Sequence, residues 1–341
     1  MRYYIVTTTK FADQCIEHLT YGATQSNWLA NINHGDSIFI SQFNYNSQKL
    51  FGPFQARKTM FYNKTAIYPL QKYFYRIKLE SVMKNVKCID ETDLYLSGIQ
   101  TKNVPDYTRI INLIQQNKHL HCISLTDQEG VLITNTFLKF GINYGDGRKS
   151  ELVGDVVNID REYIWQKNKL DKTNNFSSES DLESYLIFTL KQSKTIEYRN
   201  INGLLKKFDN NELHYSSIYN QFIFGNAYPS DLTILNENNI NVFELKKDSL
   251  SSGSIAQIEK EIKKHLYYSL FSNRLQIKSA GRFNFYLICL KDDNNKKFGQ
   301  IILGKYNEAH KKIGTLRENN IVFVDYSIKN NALLLEEIKF S

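Results

Sequence analysis

Asp231, Glu244 and Lys246 are the residues of this chain whose types and spacing could do chemistry. Two carboxylates that face each other repel, and a hard divalent cation held by their oxygens offsets that repulsion. A lysine beside them adds a positive charge that can stabilise an anionic group. Such a set suits hydrolysis of a phosphodiester, whose oxygens repel an anionic nucleophile and whose alkoxide leaves poorly.

A β-hairpin is the element that must bring these residues together. Two short β-prone runs flank a polar, asparagine-rich stretch that favours a turn. If Leu235 lies opposite Ile240, counting back along both strands places Asp231 opposite Glu244. Lys246 then lies two residues further along the same face. The sequence therefore predicts that two carboxylates and one lysine converge on one side of a sheet.

The motif formed by Asp231 and Glu244-Leu245-Lys246 resembles the D…(D/E)-x-K motif of the restriction-endonuclease-like, PD-(D/E)XK nuclease superfamily. Ser230 stands where the family has its nominal proline. The resemblance implies that Mg²⁺ or Mn²⁺ binds to both carboxylates and to the carbonyl of Leu245. It also implies that Lys246 lies beside the attacking water or the scissile phosphate.

Two further residues match the family by order and spacing. Family members place an acidic residue on a preceding helix, and many branches have a glutamine on the following helix; Glu183 and Gln257 occupy those positions. The resemblance implies that Glu183 assists a second metal and that Gln257 orients water or contacts a phosphate. The alternative for Glu183 is structural, because it lies three residues after Ser180 and could complete a capping box.

The amino-terminal part of the chain, residues 2–80, resembles the DCD domain and the wider PUA-like group that includes EVE and YTH domains. The matching residues are Tyr21-Gly22, Gly35, Phe39 and the run Leu50-x-Gly52-x-Phe54-x-Ala56, with Thr24 in place of the usual proline. The resemblance implies a β-barrel, and several branches of the group resemble readers that hold an extruded, modified base in an aromatic pocket.

Several aromatic residues of this part could form such a pocket, since stacking a base on an aromatic ring contributes about 1–3 kcal/mol. The candidates are Trp28, Phe39, Phe43, Tyr45, Phe51 and Phe54. The alternative is core packing, because a small barrel fills its interior with large side chains. Trp28 is the best candidate because it lies in a polar loop, where packing is less obligatory.

Basic residues provide a second kind of nucleic-acid contact. The run 72–78 alternates, so Lys72 and Arg76 share one strand face, which could track phosphates or be an ordinary solvated surface. Lys260 and Lys264 decorate the predicted helix after the hairpin and could meet a phosphodiester backbone. The formal charge of +8 favours a polyanionic partner.

Length and composition indicate an α/β chain, α+β overall, with two domains. The 341 residues are 42% hydrophobic, which is enough for two cores. We predict a PUA-like β-barrel recognition domain at 1–158, a linker at 159–179 and a restriction-endonuclease-like αβββαβ core at 180–341. Within the first domain, residues 121–125 and 131–138 are predicted strands around a turn at 127–130.

The chain is expected to be a soluble cytoplasmic protein with no membrane partner. Its four cysteines are far apart and fit neither a disulfide framework nor a paired metal motif. No run approaches the length of a membrane helix. A homodimer is left open.

The function predicted from sequence is that of a metal-dependent DNA endonuclease, in restriction or phage defence, whose amino-terminal domain selects unmodified or modified DNA. Two alternatives remain at this point. One is a non-catalytic nucleic-acid-binding protein that uses the nuclease fold as a scaffold, and the other is a nuclease directed at RNA.

Overall fold

The computed structural model describes residues 1–44, 47–68, 72–116, 121–146, 155–169, 175–208, 218–223, 229–235, 239–271, 282–313, 319–329 and 332–340. The chain divides into two compact units, Met1–Asp160 and Arg161–Ser341. The predicted mixed α/β class, α+β overall, is confirmed. Within the described ranges, no helix is long and apolar enough to cross a membrane.

The first unit is built on one branched sheet that curls into a half-barrel. Parallel β1 and β3 lie at its centre, and β4 pairs with β3, β6 and β7. The elements are β1 (Tyr3–Thr8), α1 (Ala12–Glu17), β2 (Thr20–Ala23), α2 (Asn27–Ala30), β3 (Ser37–Asn44), β4 (Ser47–Ala56), β5 (Phe61–Tyr62), β6 (Tyr75–Ser81), β7 (Val86–Asp90), α3 (Glu91–Gln100), α4 (Val104–Gln116), β8 (Cys122–Leu125), α5 (Asp127–Phe140), β9 (Ile142–Gly145) and β10 (Val157–Asn158).

The strand predicted at 131–138 is wrong, because these residues belong to helix α5. Thr126 caps the helix: its hydroxyl accepts from the Glu129 amide at 3.3 Å, and Glu129 accepts from the Thr126 amide at 2.9 Å. Because of this capping box, residues 127–130, predicted as a turn, form the first turn of the helix. Gly130 lets the helix lie against β1, since a Cβ there would be 2.0 Å from the Tyr3 ring.

The second unit contains one sheet in the order β12-β11-β18-β17-β16-β15-β14-β13. Strands β15, β16 and β17 are parallel, and the two strands β14 and β18 pair antiparallel on either side of them. The elements are α6 (Arg161–Lys169), α7 (Glu179–Ser193), β11 (Glu197–Arg199), β12 (Leu205–Lys207), β13 (Ile218–Phe222), β14 (Ser230–Leu235), β15 (Asn239–Lys246), α8 (Ser252–Phe271), β16 (Arg282–Leu290), α9 (Asn294–Ile313), β17 (Asn319–Lys329) and β18 (Ala332–Glu337).

Part of the predicted linker is a packed helix. Residues 161–169 form α6, and Trp165 on this helix is 6% exposed. Its ring centroid lies 5.3 Å from that of Tyr185 on α7 and 6.2 Å from that of Phe176. Lys167 also donates to Asp181 at 2.8 Å. Residues 161–169 are mostly polar, and this composition led to the prediction of an exposed linker. The helix nevertheless buries one apolar face.

The core of the second unit lies between its sheet and helices α8 and α9. Val242 of β15, Leu287 of β16 and Phe323 of β17 point to one side and pack with Ile258 of α8 and Ile302 of α9. Strands β15 and β16 are apolar and buried along most of their length. Such runs without alternation are typical of strands covered on both faces.

Candidate functional site

The predicted hairpin register is confirmed. Strands β14 and β15 pair antiparallel, with Leu235 opposite Ile240 and Leu232 opposite Phe243. One further step of this register places Asp231 opposite Glu244. The same count that was made on the sequence therefore describes the structure.

The structure brings Asp231, Glu244 and Lys246 together at the end of this hairpin. Lys246 Nζ donates to Glu244 Oε1 at 2.8 Å, and the two side chains are 12% and 6% exposed. Asp231 Oδ2 accepts from the backbone amide of Leu245 at 2.8 Å. Leu245 therefore supplies an amide to this cluster, and the metal-binding role of its carbonyl stays a prediction.

Burial and like charge disfavour ionisation of both carboxylates. Burial raises the pKa of Asp231 to about 6, because the opposing effects of Lys246 and the Leu245 amide do not offset it and Glu179 and Glu261 add to it. Burial, and after it the charge of Asp231, raises the pKa of Glu244 well above its usual range. A second cation, in addition to Lys246, would therefore stabilise the ionised forms of both carboxylates.

Lys246 stays charged despite its burial. Burial disfavours its ammonium form, but the charges of Glu244 and Asp231 outweigh that effect and raise the pKa of Lys246. Lysine therefore remains a cation at neutral pH in this site. A fixed positive charge next to two carboxylates can stabilise an anionic group brought to them.

The capping-box alternative for Glu183 is wrong. Helix α7 begins at Glu179, and Ser178 caps it by accepting from the Asp181 amide at 3.1 Å. Glu183 lies one turn further on and is 3% exposed. Ser180 is itself inside the helix and cannot act as the N-cap.

Glu183 is held beside the hairpin by Gln221 of β13. Gln221 Nε2 donates to both carboxylate oxygens of Glu183, at 3.2 and 3.3 Å. On β13, Asn220 pairs with Leu232 and Phe222 pairs with Ser230. Gln221 lies between them and is therefore next to Asp231, which lies between Ser230 and Leu232 on β14. Its backbone has φ of 51°, which is uncommon for a residue other than glycine.

Glu179 was missed by the sequence prediction. It lies in the first turn of α7, and its charge affects the pKa of both Asp231 and Lys246. The pair Ser178 and Asp181, spaced like a cap and its third helical residue, was the signal that could have located the start of the helix and hence this glutamate.

Gln257 lies on α8 and is exposed. Its Nε2 donates to Glu261 Oε1 at 2.8 Å, one helical turn away. Glu261 was not singled out from the sequence, although glutamine and glutamate four residues apart on a helix are neighbours. Its charge raises the pKa of both Asp231 and Glu244.

The donor set fits a hard divalent cation. Asp231 and Glu244 offer carboxylate oxygens, and Mg²⁺ is commonly bound through one or two carboxylates while it keeps several waters. Within the described part of the chain, Glu261 Oε2 is buried and accepts no hydrogen bond. Among the residues that the structure describes, no three His, Cys, Asp or Glu side chains are grouped as direct ligands of one ion.

A separate cavity of about 80 Å³ lies in the first unit. Three of its aromatic rings pack together, with centroid distances of 5.9 Å for Phe11 and Tyr68, 5.8 Å for Phe11 and Tyr73, and 5.4 Å for Tyr68 and Tyr73. The lining residues are Thr7, Thr8, Thr9, Phe11, Cys15, Tyr21, Gly22, Tyr68, Tyr73 and His121. The walls are therefore largely aromatic, with three threonines among the lining residues.

Two tyrosines of this cavity, Tyr21 and Tyr68, are fixed by their hydroxyls. Tyr21 Oη donates to the carbonyl of Thr7 at 2.9 Å, and Tyr68 Oη donates to the carbonyl of Thr20 at 2.8 Å. Gly22 makes room for them, because a Cβ there would lie 3.0 Å from the Tyr68 ring. These two rings are therefore held in place by hydrogen bonds as well as by packing.

The cavity presents uncharged groups. Burial raises the pKa of the Cys15 thiol to about 12, so the thiol stays protonated at neutral pH. Burial lowers the pKa of His121, and the charge of Lys72 lowers it further. A neutral aromatic cavity is suited to a flat, uncharged ring.

Most of the aromatic residues predicted for the pocket lie elsewhere. Phe39, Phe51 and Phe54 have no exposed surface and belong to the core, where Phe39 stacks on Phe137 at 5.8 Å. Phe43 is partly buried in β3, and Tyr45 lies outside the described residues. The sheet is covered on both faces here, because Phe51 and Phe54 share the face of their partners Ile40 and Ile38, whereas Phe39 points to the opposite face.

Trp28 adjoins the cavity without lining it. It lies on the short helix α2 and is partly buried, and its ring centroid is 5.3 Å from that of His121. His121 is one of the lining residues. Trp28 therefore supports one wall of the cavity.

The prediction that Arg76 contacts phosphates is wrong. It is 2% exposed, and its guanidinium donates to the carbonyl of Tyr73 at 2.9 Å and to Asn63 Oδ1 at 2.8 Å. A buried guanidinium with these acceptors is structural.

The three lysines lie in different settings. Lys72 is exposed, with its Nζ 5.7 Å from the centroid of the Tyr73 ring. Lys260 is exposed on α8, and Lys264 lies on α8 with a side chain outside the described part. Their contacts with nucleic acid stay predictions.

Comparisons with known proteins give little. No family model matches the chain, and no curated protein matches it. Among solved structures, the chain is similar to one described as human THYN1 protein in complex with 5-methylcytosine-containing DNA. The match has 12% identity and a TM-score of 0.28, and it covers 40% of this chain and 96% of that chain. A likeness at that TM-score determines neither the fold nor the function of this chain.

Proposed function

We propose that this protein is a metal-dependent DNA endonuclease. The observation that supports it is the convergence of Asp231, Glu244 and Lys246 at the end of one hairpin, two of them joined by a hydrogen bond of 2.8 Å. A merely structural role gives no reason to place two carboxylates with disfavoured charge side by side. Their affinity for a cation provides one.

Each residue has a role in the proposed reaction. Asp231 and Glu244 would hold Mg²⁺ or Mn²⁺, which would supply charge neutralisation at the phosphate and a more acidic bound water. Lys246 is charged and lies next to Glu244, so it can neutralise negative charge that develops on the phosphate oxygens. Asp231 is oriented by the Leu245 amide, which fixes one oxygen and leaves the other for the cation.

The aromatic cavity of the first unit is proposed to select the DNA. A base extruded from the helix could stack against the rings of Phe11, Tyr68 and Tyr73, which already pack at centroid distances under 6 Å. Thr8 and Thr9 also line the cavity, and their hydroxyls could donate hydrogen bonds to base edges. A nuclease that chooses DNA by base modification would serve in restriction or phage defence.

The test is cleavage of matched DNA duplexes that are unmodified, methylated, hydroxymethylated or glucosylated, with a single-stranded RNA of the same sequence as a further arm. We expect Mg²⁺- or Mn²⁺-dependent cleavage by the wild type and none by Glu244→Ala prepared in parallel. Equal cleavage by both preparations would assign the activity to a contaminant and refute the proposal. Cleavage of RNA alone would refute the assignment to DNA.

A further inference from the structure

Gln221 of β13 has a backbone conformation that a strand does not require. Its φ is 51°, in the left-handed region that favours glycine. In the described part of the chain, the other non-glycine residues with a positive φ lie at the carboxyl ends of helices: Leu19 after α1, Lys102 after α3 and Lys194 after α7. A left-handed residue commonly ends a helix, whereas inside a strand it is unusual and costs free energy.

The strand register continues past this residue. The pairs on either side of Gln221 belong to one register, so no residue is inserted or skipped. Gln221 therefore lies opposite Asp231, which in turn lies opposite Glu244. A β-bulge needs an extra residue, so it does not account for the irregular backbone at this position. A strained residue in a continuous strand needs a local explanation.

The side chain of Gln221 supplies that explanation. Its Nε2 donates to both carboxylate oxygens of Glu183, at 3.2 and 3.3 Å. The two side chains are 5% and 3% exposed, so the contact is made away from solvent. A buried carboxylate costs free energy unless hydrogen-bond donors satisfy it. A donor that lies between both oxygens also restricts the direction in which the carboxylate points.

This contact links helix α7 to the strand beside the candidate site. Gln221, Asp231 and Glu244 lie in one row across three neighbouring strands, and adjacent strands are about 4.8 Å apart. Glu183 is therefore held by the residue next to Asp231, although it belongs to a different element. The family resemblance implies that Glu183 assists a metal, but the motif itself contains no residue that would hold Glu183 in place.

We propose that Gln221 is a positioning residue of the nuclease site, which holds the Glu183 carboxylate beside the strand that carries Asp231. This inference rests on the proposed function. Strained backbone persists where the surrounding structure enforces it, and such residues cluster at functional sites. Residues that orient the groups around a metal ion change the affinity for that ion when they are replaced. Gln221 thus acts on cation binding through Glu183, without touching the cation.

The experiment measures Mn²⁺ binding by the full chain, without DNA, from the free-ion electron paramagnetic resonance signal. Gln221→Asn is the main variant, because asparagine tolerates a positive φ but is one methylene shorter and withdraws the donor from Glu183. We expect it to weaken Mn²⁺ binding by about 10–100-fold, the usual effect of losing a hydrogen-bond partner of a metal's ligands. Glu183→Gln should weaken binding at least as much. Adding Gln221→Asn to Glu183→Gln should weaken it no further, because Gln221 acts through Glu183.

Lys194→Gly is the matched control, because Lys194 is also left-handed and ends the helix that carries Glu183. This variant should bind Mn²⁺ like the wild type. Melting of each metal-free variant in chelator is measured in parallel. A merely structural role for Gln221 predicts a lower melting temperature with unchanged Mn²⁺ binding. The positioning role predicts weaker Mn²⁺ binding by a protein that is still folded.

Four outcomes would overturn the inference, and they are distinguishable. Wild-type affinity in Gln221→Asn, with metal-dependent cleavage of DNA by the wild type, overturns the role of Gln221 and leaves the nuclease intact. A further loss in the double variant shows that Gln221 acts independently of Glu183 and also overturns it. Equal weakening in Lys194→Gly assigns the effect to a loosened α7, with the same consequence. A wild type that neither binds Mn²⁺ nor cleaves DNA overturns the proposed function together with this inference. If Gln221→Asn does not fold, Gln221→Gly decides, because glycine adopts a positive φ without steric cost.

Discussion

Replacing Arg76 by alanine is expected to destabilise the first unit strongly, because its buried guanidinium ties together the segments that form one cavity wall. The guanidinium donates to the carbonyl of Tyr73, to the carbonyl of Thr65 and to Asn63 Oδ1. Its Cζ also lies 5.8 Å from the centroid of the Tyr68 ring. The aromatic cavity therefore depends on a residue that does not line it.

The magnitude follows from the acceptors that lose their donor. Each acceptor left unsatisfied on burial costs at least about 1 kcal/mol. Arg76→Ala removes a donor from three acceptors, of which Asn63 Oδ1 still accepts from the Thr65 amide at 3.1 Å, so the free energy of unfolding should fall by about 2 kcal/mol. Arg76→Lys should recover only part of this loss, because one ammonium cannot reproduce a planar fork that reaches three acceptors.

The assay uses tryptophan fluorescence during guanidinium unfolding. The chain has two tryptophans, so a Trp165→Phe background leaves Trp28, which lies in the first unit, as the reporter. Arg57→Ala is the matched control, since Arg57 and its ion-pair partner Glu80 are partly exposed, at 48% and 28%, and the pair should contribute little. Unchanged unfolding of Arg76→Ala, accompanied by weaker DNA binding, would refute the structural role and restore the phosphate contact.

Three further predictions test the electrostatics and the two sites. Glu244→Gln should raise the melting temperature of the metal-free protein in chelator, because it removes a buried charge whose pKa is raised by burial and by Asp231; a lower melting temperature would contradict this. Tyr73→Ala should weaken binding to the preferred DNA by about 1–3 kcal/mol, whereas Lys72→Ala should weaken binding to every DNA and reduce the salt slope by about one, both measured by fluorescence anisotropy at several salt concentrations. Burial raises the pKa of Asp325 to about 6, so ionisation of Asp325 destabilises the fold and the free energy of unfolding falls as pH rises from about 4 to about 6. Asp325→Asn should remove that fall and should be more stable than the wild type at pH 7 by about 1 kcal/mol, a value reduced for partial exposure. Urea unfolding at about pH 4 and at pH 7 measures both effects.

The hairpin could be predicted because its information is local. The register that places Asp231 opposite Glu244 depends on the turn length and on strand alternation, and both can be counted within the segment 231–246. The same reasoning located Lys246 on the shared face. Glu183 was placed on the correct helix, but its partner Gln221 lies on β13, where an irregular backbone gave no sequence pattern.

The strand predicted at 131–138 shows where apolar content misleads. A short apolar run is compatible with both a strand and a helix. The residues just before it decide for the helix, because Thr126 and Glu129 form a capping box. The same signal type, Ser178 with Asp181, marks the true start of α7. At Thr126 a side-chain hydrogen bond to a backbone amide decides that the element is a helix, and at Ser178 such a bond decides where a correctly predicted helix begins.

The aromatic cavity could not be predicted from the sequence, because its walls come from parts of the chain that are distant from one another. Phe11 follows β1, Tyr68 and Tyr73 lie between β5 and β6, and His121 precedes β8. The residues that looked like a pocket, such as Phe39, lie within adjacent strands whose two faces are both buried in the core. A core draws its large side chains from regular strand positions, whereas a cavity is lined where strands begin and end. Aromatic residues at strand ends are therefore better candidates for a ligand than aromatic residues within strands, and Tyr73 is a sharper test of base recognition here than Trp28.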